Sequence, residues 1–241
     1  MKDLNIISMI PARIGSKRLK MKNLALLDGK PLIFYVINSA KEADIFNRII
    51  VNSDHEIFKS IADRYSVEFY HRPIELGRSN IKSDNVVMDF IEKNPCDILV
   101  WVNPTSPLQK GDEINKVVRY FIDSNLDSLI TVKKEQVHCI YNDVPVNFSF
   151  DEIFSQTQDL IPAQIFVYSL MMWRTKIFTR EFKKNGFAFF CGKTGYYPVS
   201  KLSSVIIKSK IDLLMAECLL KSEHNACINT IQYDKICEQL K

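Results

Sequence analysis

Between Pro11 and Lys22 the chain carries five basic side chains, Arg13, Lys17, Arg18, Lys20 and Lys22, and no acidic one. These five exceed the formal net charge of +4 for all 241 residues, so the positive excess belongs to one short segment. Guanidinium groups fork onto phosphate oxygens, ammonium groups act as point charges, and backbone N–H groups around a flexible Gly15-Ser16 pair add donors. A nucleoside triphosphate carries about four negative charges at neutral pH. The segment is therefore suited to gripping one, and to stabilising the charge that builds up when a nucleophile attacks phosphorus. It matches neither the P-loop G-x-x-x-x-G-K-[ST] nor the dinucleotide pattern G-x-G-x-x-G. Composition alone leaves a solvated loop or an RNA contact as other readings. No basic stripe interleaved with aromatics extends beyond the loop, which counts against nucleic acid.

The elements around this segment set its position. Asn5 to Ile10 is an Ile-rich run suited to a strand buried on both faces. The pattern predicts a helix over 31–42, a strand over 48–52, a helix over 55–64 and a strand over 67–70. A helix over 84–93, a strand over 97–102, a helix over 113–124 and a strand over 128–132 follow. Such alternation implies a mainly parallel, doubly wound α/β sheet of Rossmann-like type. Ligands in such sheets sit beyond the carboxyl ends of the strands, which is where the basic loop falls. After Lys133 the rhythm breaks into a polar, aromatic-dotted stretch with a turn at Asn142-Asp143. A long strand over 165–173, a strand over 203–207 and a helix over about 210–221 complete the pattern. The expectation is one domain over 1–241 with a small subdomain inserted at about 134–165.

No apolar run approaches the roughly 18 residues of a membrane span, and Met-Lys-Asp-Leu-Asn does not read as a signal peptide. Cys96, Cys139, Cys191, Cys218, Cys227 and Cys237 form no C-x-x-C pair and lie in or beside apolar segments. They read as reduced, buried thiols of a cytoplasmic protein.

Ile10-Pro-Ala-Arg-Ile-Gly-Ser-Lys-Arg-Leu-Lys-Met-Lys-Asn-Leu24, followed by Leu27-Asp-Gly-Lys-Pro-Leu32, resembles the opening signature of the acylneuraminate cytidylyltransferases. Val51-Asn-Ser-Asp54, Arg72-Pro-Ile-Glu-Leu76 with Ser83 downstream, Val102-Asn-Pro-Thr-Ser-Pro-Leu108 and Asp212-Leu-Leu-Met-Ala-Glu217 resemble further motifs of that family, in order. The resemblance implies transfer of CMP from CTP to a sialic-acid-like (nonulosonic) sugar acid used for surface polysaccharide, with magnesium, in a homodimer joined through the inserted subdomain. By position, Arg13 and Lys22 would hold the triphosphate and act in catalysis. Gly15, Ser16 and Asn23 would complete the loop, and Arg72 and Ser83 would lie around the cytidine. Backbone groups near Pro11 and Ala12 would read the base, and Asn103 and Thr105 would border the junction with the sugar.

The family's strand before its last helix reads I-D-I-D, and its aspartates hold magnesium; here Ile206 and Lys208 stand in their places. A protonated lysine cannot ligate a hard cation that wants oxygen. Ser209 and Asp212 have the spacing of a helix start, so capping is the reading for Asp212. Three readings remain: metal carried by the CTP phosphates and water, Lys208 supplying the positive charge itself, or a nucleotide-binding homologue without efficient catalysis. The family's sugar-side arginine and Asn-Gly pair are also missing from Ala163-Gln-Ile-Phe-Val-Tyr-Ser-Leu170. Lys133, Lys134 and His138 are candidates to meet a sugar carboxylate instead, or a solvated loop end. A Kdo-type cytidylyltransferase is disfavoured, since that class resembles Q-G-D-E-P where this chain has Asn103-Pro-Thr-Ser-Pro107.

Overall fold

The strand expected at the amino-terminal end forms as β1 (Ile6–Pro11). Its alternate residues serve two cores, Ile6 and Ile10 on one face and Ile7 and Met9 on the other. The computed structural model describes residues 4–16, 18–224 and 234. Lys17, Cys227 and Cys237 therefore lie outside the described residues.

β4 (Arg48–Ser53) and β6 (Ile98–Val102) pair with β1 on either side, both parallel to it. β5 (Glu68–His71) continues beyond β4. On the far side of β6 come β10 (Ala163–Arg174), β7 (Ser128–Glu135) and β11 (Thr194–Pro198), giving the order β11-β7-β10-β6-β1-β4-β5. β10 alone runs against its neighbours, so the sheet is mainly parallel. Connections leave β1 toward β4 first and reach β6 later, which makes the β1/β6 boundary a topological switch point.

Helices cover both faces. α1 (Leu32–Glu42), α2 (Ile57–Arg64) and α4 (Gly111–Asp123) pack Val36, Ile37, Phe58, Val117 and Phe121 on one side. α3 (Ser83–Lys93) and α5 (Thr175–Asn185) pack Phe90, Ile91 and Phe178 on the other, against Trp173 of β10. α6 (Lys210–His224) sets Ala216 into a smaller cluster with Leu27, Leu32, Leu108 and Ile207. Short hairpins are formed by β2 (Leu26–Leu27) with β3 (Lys30–Pro31), and by β8 (Ile140–Tyr141) with β9 (Val144–Pro145). The second turns at Asn142 and Asp143, both left-handed with φ of 47° and 63°, as the turn residues there predict.

Three expectations are corrected. Residues 203–207 form no strand: Ile207 is buried in the α6 cluster, and its amide bonds to Thr105 O at 2.8 Å, not to a sheet neighbour. The sheet's last strand is instead β11, whose Gly195 and Pro198 hid it, and α5 was also not anticipated. The thiols are not uniformly buried. Cys191 is buried, Cys96 and Cys139 are partly so, and Cys218 is exposed. Burial pushes the Cys96 and Cys191 thiols up to about 12, which keeps them protonated.

Candidate active site

Three strand ends deliver polar groups to one place. The loop after β1 brings Arg13, Ser16, Arg18, Lys22 and Asn23. β5 leads into Arg72, the turn after it into Arg78, and β6 into Asn103 and Thr105. Together they line a cavity of about 650 Å³ at the switch point. Ser83, the first residue of α3, also lines it, so the electropositive end of that helix abuts the cavity.

The loop is pinned to the end of β4. Ala12 N donates to Asn52 O at 2.9 Å and Ile14 N to Asp54 Oδ1 at 3.1 Å. Met21, with φ of 46°, turns the chain into a 3-10 turn over Lys22–Leu24 that buries Asn23. The same Asp54 oxygen lies 3.7 Å from Arg72 Nη2, and both side chains are almost wholly buried. Burial lowers the Arg72 pKa and Asp54 opposes that shift, so the carboxylate helps keep the guanidinium charged. Arg72 Nε and Trp101 Nε1 have no hydrogen-bond partner, and both residues line the cavity. Buried donors left unpaired are costly, and a bound polar ligand can satisfy them.

The Asn103 corner of the cavity is held by a bulge. Between Phe166 and Met171 the register of β10 shifts, and Tyr168 there takes φ of 56°, an uncommon state for an aromatic residue. Tyr168 O accepts from Asn103 Nδ2 at 3.0 Å, and Ser169 O accepts from Asn103 N at 2.9 Å. Asn103 Oδ1 in turn accepts from Thr105 N and Oγ1. Phe166 carries the rings of Tyr168, Phe190 and Tyr196 around it, joining an aromatic cluster to this corner.

Lys22 is braced by the segment that precedes α6. Its Nζ donates to Ile207 O at 2.9 Å, while Ile207 N reaches Thr105 O. Burial, reinforced by Arg18 and Arg13, pushes the Lys22 ammonium down to about 8; Asp212 opposes the shift and Lys208 adds to it. Such crowding of like charge is what an anionic ligand relieves.

Nine of the residues expected at the site line the cavity: Pro11, Arg13, Ser16, Lys22, Asn23, Arg72, Ser83, Asn103 and Thr105. Ala12 is buried and Gly15 exposed, and neither is part of the wall. Lys133 and Lys134 lie apart from the cavity at the carboxyl end of β7. Lys133 pairs with Glu135 at 2.7 Å, and Lys134 is exposed. His138 stacks on Phe154 at 4.1 Å, away from the cavity. Arg18, Arg78 and Trp101 line the cavity as well, beyond the residues that the motifs mark. Arg18 stood in the basic loop, whereas Arg78 and Trp101 carry no motif of their own.

The described residues do not fit a protein-held magnesium ion. No three His, Cys, Asp or Glu side chains come together among them. Asp212 Oδ2 accepts from Lys208 N, Ser209 N and Ser209 Oγ at 2.7–2.9 Å, which makes it the cap of α6, as its spacing predicts. Burial works against its charge, but these donors outweigh it and hold the carboxyl below its ordinary value.

A family model described as cytidylyltransferase matches residues 7–225. The chain is similar to the N-acylneuraminate cytidylyltransferase of Streptococcus agalactiae serotype V, 33% identical over 137 residues, covering 55% of this chain and 33% of that protein. It is also similar to N-acylneuraminate cytidylyltransferase A of Danio rerio, 25% identical over 229 residues, covering 90% of this chain and 51% of that protein. The match thus spans about a third of the first of these curated relatives and half of the second. Among solved structures, CMP:2-keto-3-deoxy-manno-octonic acid synthetase complexed with CTP shares the fold. It has a TM-score of 0.70 at 14% identity, covering 91% of this chain and 99% of that one. No described helix is long and apolar enough to cross a membrane.

Proposed function

The chain belongs to the cytidylyltransferase family, and we propose that it transfers CMP from CTP to a sialic-acid-like sugar acid, releasing pyrophosphate. One observation carries the reading: a cavity at the switch point lined by Arg13, Arg18, Lys22, Arg72 and Arg78, with the buried donors of Arg72 and Trp101 unpartnered. Arg13 and Lys22, with Arg18 on the same loop, hold the triphosphate. Arg72 and Ser83 lie around the nucleoside, where the backbone near Pro11 and Ala12 reads the base. Asn103 and Thr105, fixed by the β10 bulge, orient the acceptor at the α-phosphorus.

In the reaction, the anomeric oxygen of the sugar acid forms a bond to the α-phosphorus and loses its proton. The bond from that phosphorus to the bridging oxygen breaks, and pyrophosphate leaves. The side chains on the loop are preorganised cations facing the charge that moves onto the leaving group, where electrostatic stabilisation is largest. The described residues offer no three-ligand group for magnesium, so charge compensation on the triphosphate falls to the basic side chains of the wall. Lys133 and Lys134, at the same carboxyl end of the sheet as Asn103, are the cations proposed to meet the sugar carboxylate.

The whole chain acts as one domain in a cytoplasmic setting, in supply of surface polysaccharide, as a homodimer. Support for the dimer is the segment at 134–165, which exposes Ile140, Val144, Phe150, Ile153, Phe154 and Ile161. Exposed apolar side chains gathered in one segment are what a protein–protein interface buries.

Pyrophosphate release from CTP, assayed with a panel of nonulosonic acids, tests the function. Release with CTP and one of these acids, and none without acceptor, is the expected result. CTP binding without release for any acceptor would support the non-catalytic nucleotide-binding homologue instead.

A further inference from the structure

We propose that this cavity takes the free nucleoside triphosphate in preference to its magnesium chelate, with Lys208 supplying positive charge at the rim in place of a protein-held divalent ion. The proposal rests on the reading of the cavity as a CTP site.

Charge matching is the first argument. Among the described residues the wall holds five cationic side chains and no carboxylate. The nearest acidic partner of the wall, Asp54, is already engaged by Arg72 and by the Ile14 amide. Four net positive charges remain, with Lys208 and Asp212 beside Lys22 offsetting each other, equal to the roughly four negative charges of a free triphosphate. A chelated divalent ion cancels two of those charges and leaves the cavity overcharged, a costly state in a partly desolvated site.

Donor chemistry is the second. Asp212 is the acidic group acting on Lys22 from the carboxyl-terminal side; its Oδ2 accepts from two backbone amides and a hydroxyl, which leaves one oxygen, Oδ1, and among the described residues no three-ligand group for it to join. A hard cation needs free oxygen ligands.

The placement of Lys208 is the third. The Lys22 Nζ–Ile207 O bond draws the 207–208 backbone against the phosphate loop. The charge of Lys208 bears on both Lys22 and Asp212. Lys208 itself is exposed, on the residue next to the one that Lys22 holds. A fixed cation on the chain and a mobile one on the ligand compete for the same phosphate oxygens.

Calorimetric titration of the full chain with CTP, once in EDTA and once with excess magnesium, tests this. CTP binds in EDTA at least as tightly as with magnesium if the proposal holds. Binding that requires magnesium, or tightens tenfold or more with it, overturns it and leaves the CTP site standing. No CTP binding in either buffer removes the site and the proposal together. Lys208→Asp, checked for fold by circular dichroism, weakens CTP at least tenfold in EDTA and recovers with magnesium. Lys208→Gln shows a smaller loss and no recovery. Unchanged affinity of Lys208→Asp in EDTA would take Lys208 out of the site.

Discussion

The affinity for CTP should fall as the pH rises above 8, and Lys22 sets the slope. In the ligand-free cavity its ammonium is pushed down to about 8 by burial and by the neighbouring Arg18 and Arg13. A bound triphosphate brings the opposite charge and returns the group toward its ordinary 10.5. Binding above pH 8 therefore takes up a proton. The protonated fraction of free Lys22 is near nine-tenths at pH 7 and about one-tenth at pH 9, so Kd should rise about tenfold between them, about 1.4 kcal/mol. The terminal phosphate, with a pKa of about 6, is already ionised. Fluorescence or calorimetric titration of CTP at half-unit steps reads the slope. Lys22→Arg should flatten it, and Lys22→Met should flatten it with affinity at pH 7 at least tenfold lower. Stability moves the other way. The folded-state pKa lies below the unfolded value, so between about pH 8 and 10.5 the unfolded chain binds more protons. The charging penalty, part of which solvent screens, is full below pH 8 and lifts as pH rises through this window. A flat wild-type affinity profile across pH 7–9 would refute the reasoning.

Arg13→Ala should weaken CTP binding by well over tenfold with an unchanged thermal melt, read by calorimetry and circular dichroism. Gly77→Ala should lower both CTP affinity and Tm, because its new Cβ would stand 2.0 Å from Asp54 Oδ2 and 2.7 Å from Asp54 Cβ. That overlap displaces the carboxylate holding Ile14 and Arg72, and denaturation with and without CTP reads both losses. Trp173→Ala should cost about 3–5 kcal/mol in urea unfolding, since it empties a fully buried site and removes the indole donor to Phe189 O at 2.8 Å. Ile153→Asp with Phe154→Asp should shift the protein from dimer to monomer in light scattering, as both side chains are exposed in the 134–165 segment.

Much of the central sheet was legible because its strands are buried on both faces. Ile6 through Ile10 and Ile98 through Val102 leave no room for another periodicity, and the helices between them show their apolar stripes. The site was legible where motifs fall at strand ends, as with Arg13, Arg72 and Asn103. Legibility failed where tertiary contacts override local pattern. Val205-Ile-Ile207 reads as a strand, yet Ile207 is claimed by Leu27, Leu32, Leu108 and Ala216, and its amide by Thr105. Thr194–Pro198 contains a glycine and a proline and still pairs with β7, because an edge position tolerates them. α5 did carry a signal in Phe178 and Phe182, four residues apart and stacked, but the aromatic run around it masked the period. Arg78 and Trp101 enter the wall only through chain tracing that no spacing encodes.

The bond from Lys22 Nζ to Ile207 O joins residues 185 positions apart. On a ribosome, the phosphate loop emerges long before the segment that braces it. A nascent chain stopped short of Ile207 would present the loop, the sheet's first strands and every residue that lines the cavity, yet lack the residue that bridges Lys22 to Thr105. The brace on the basic loop is thereby postponed until synthesis has passed almost the whole described chain.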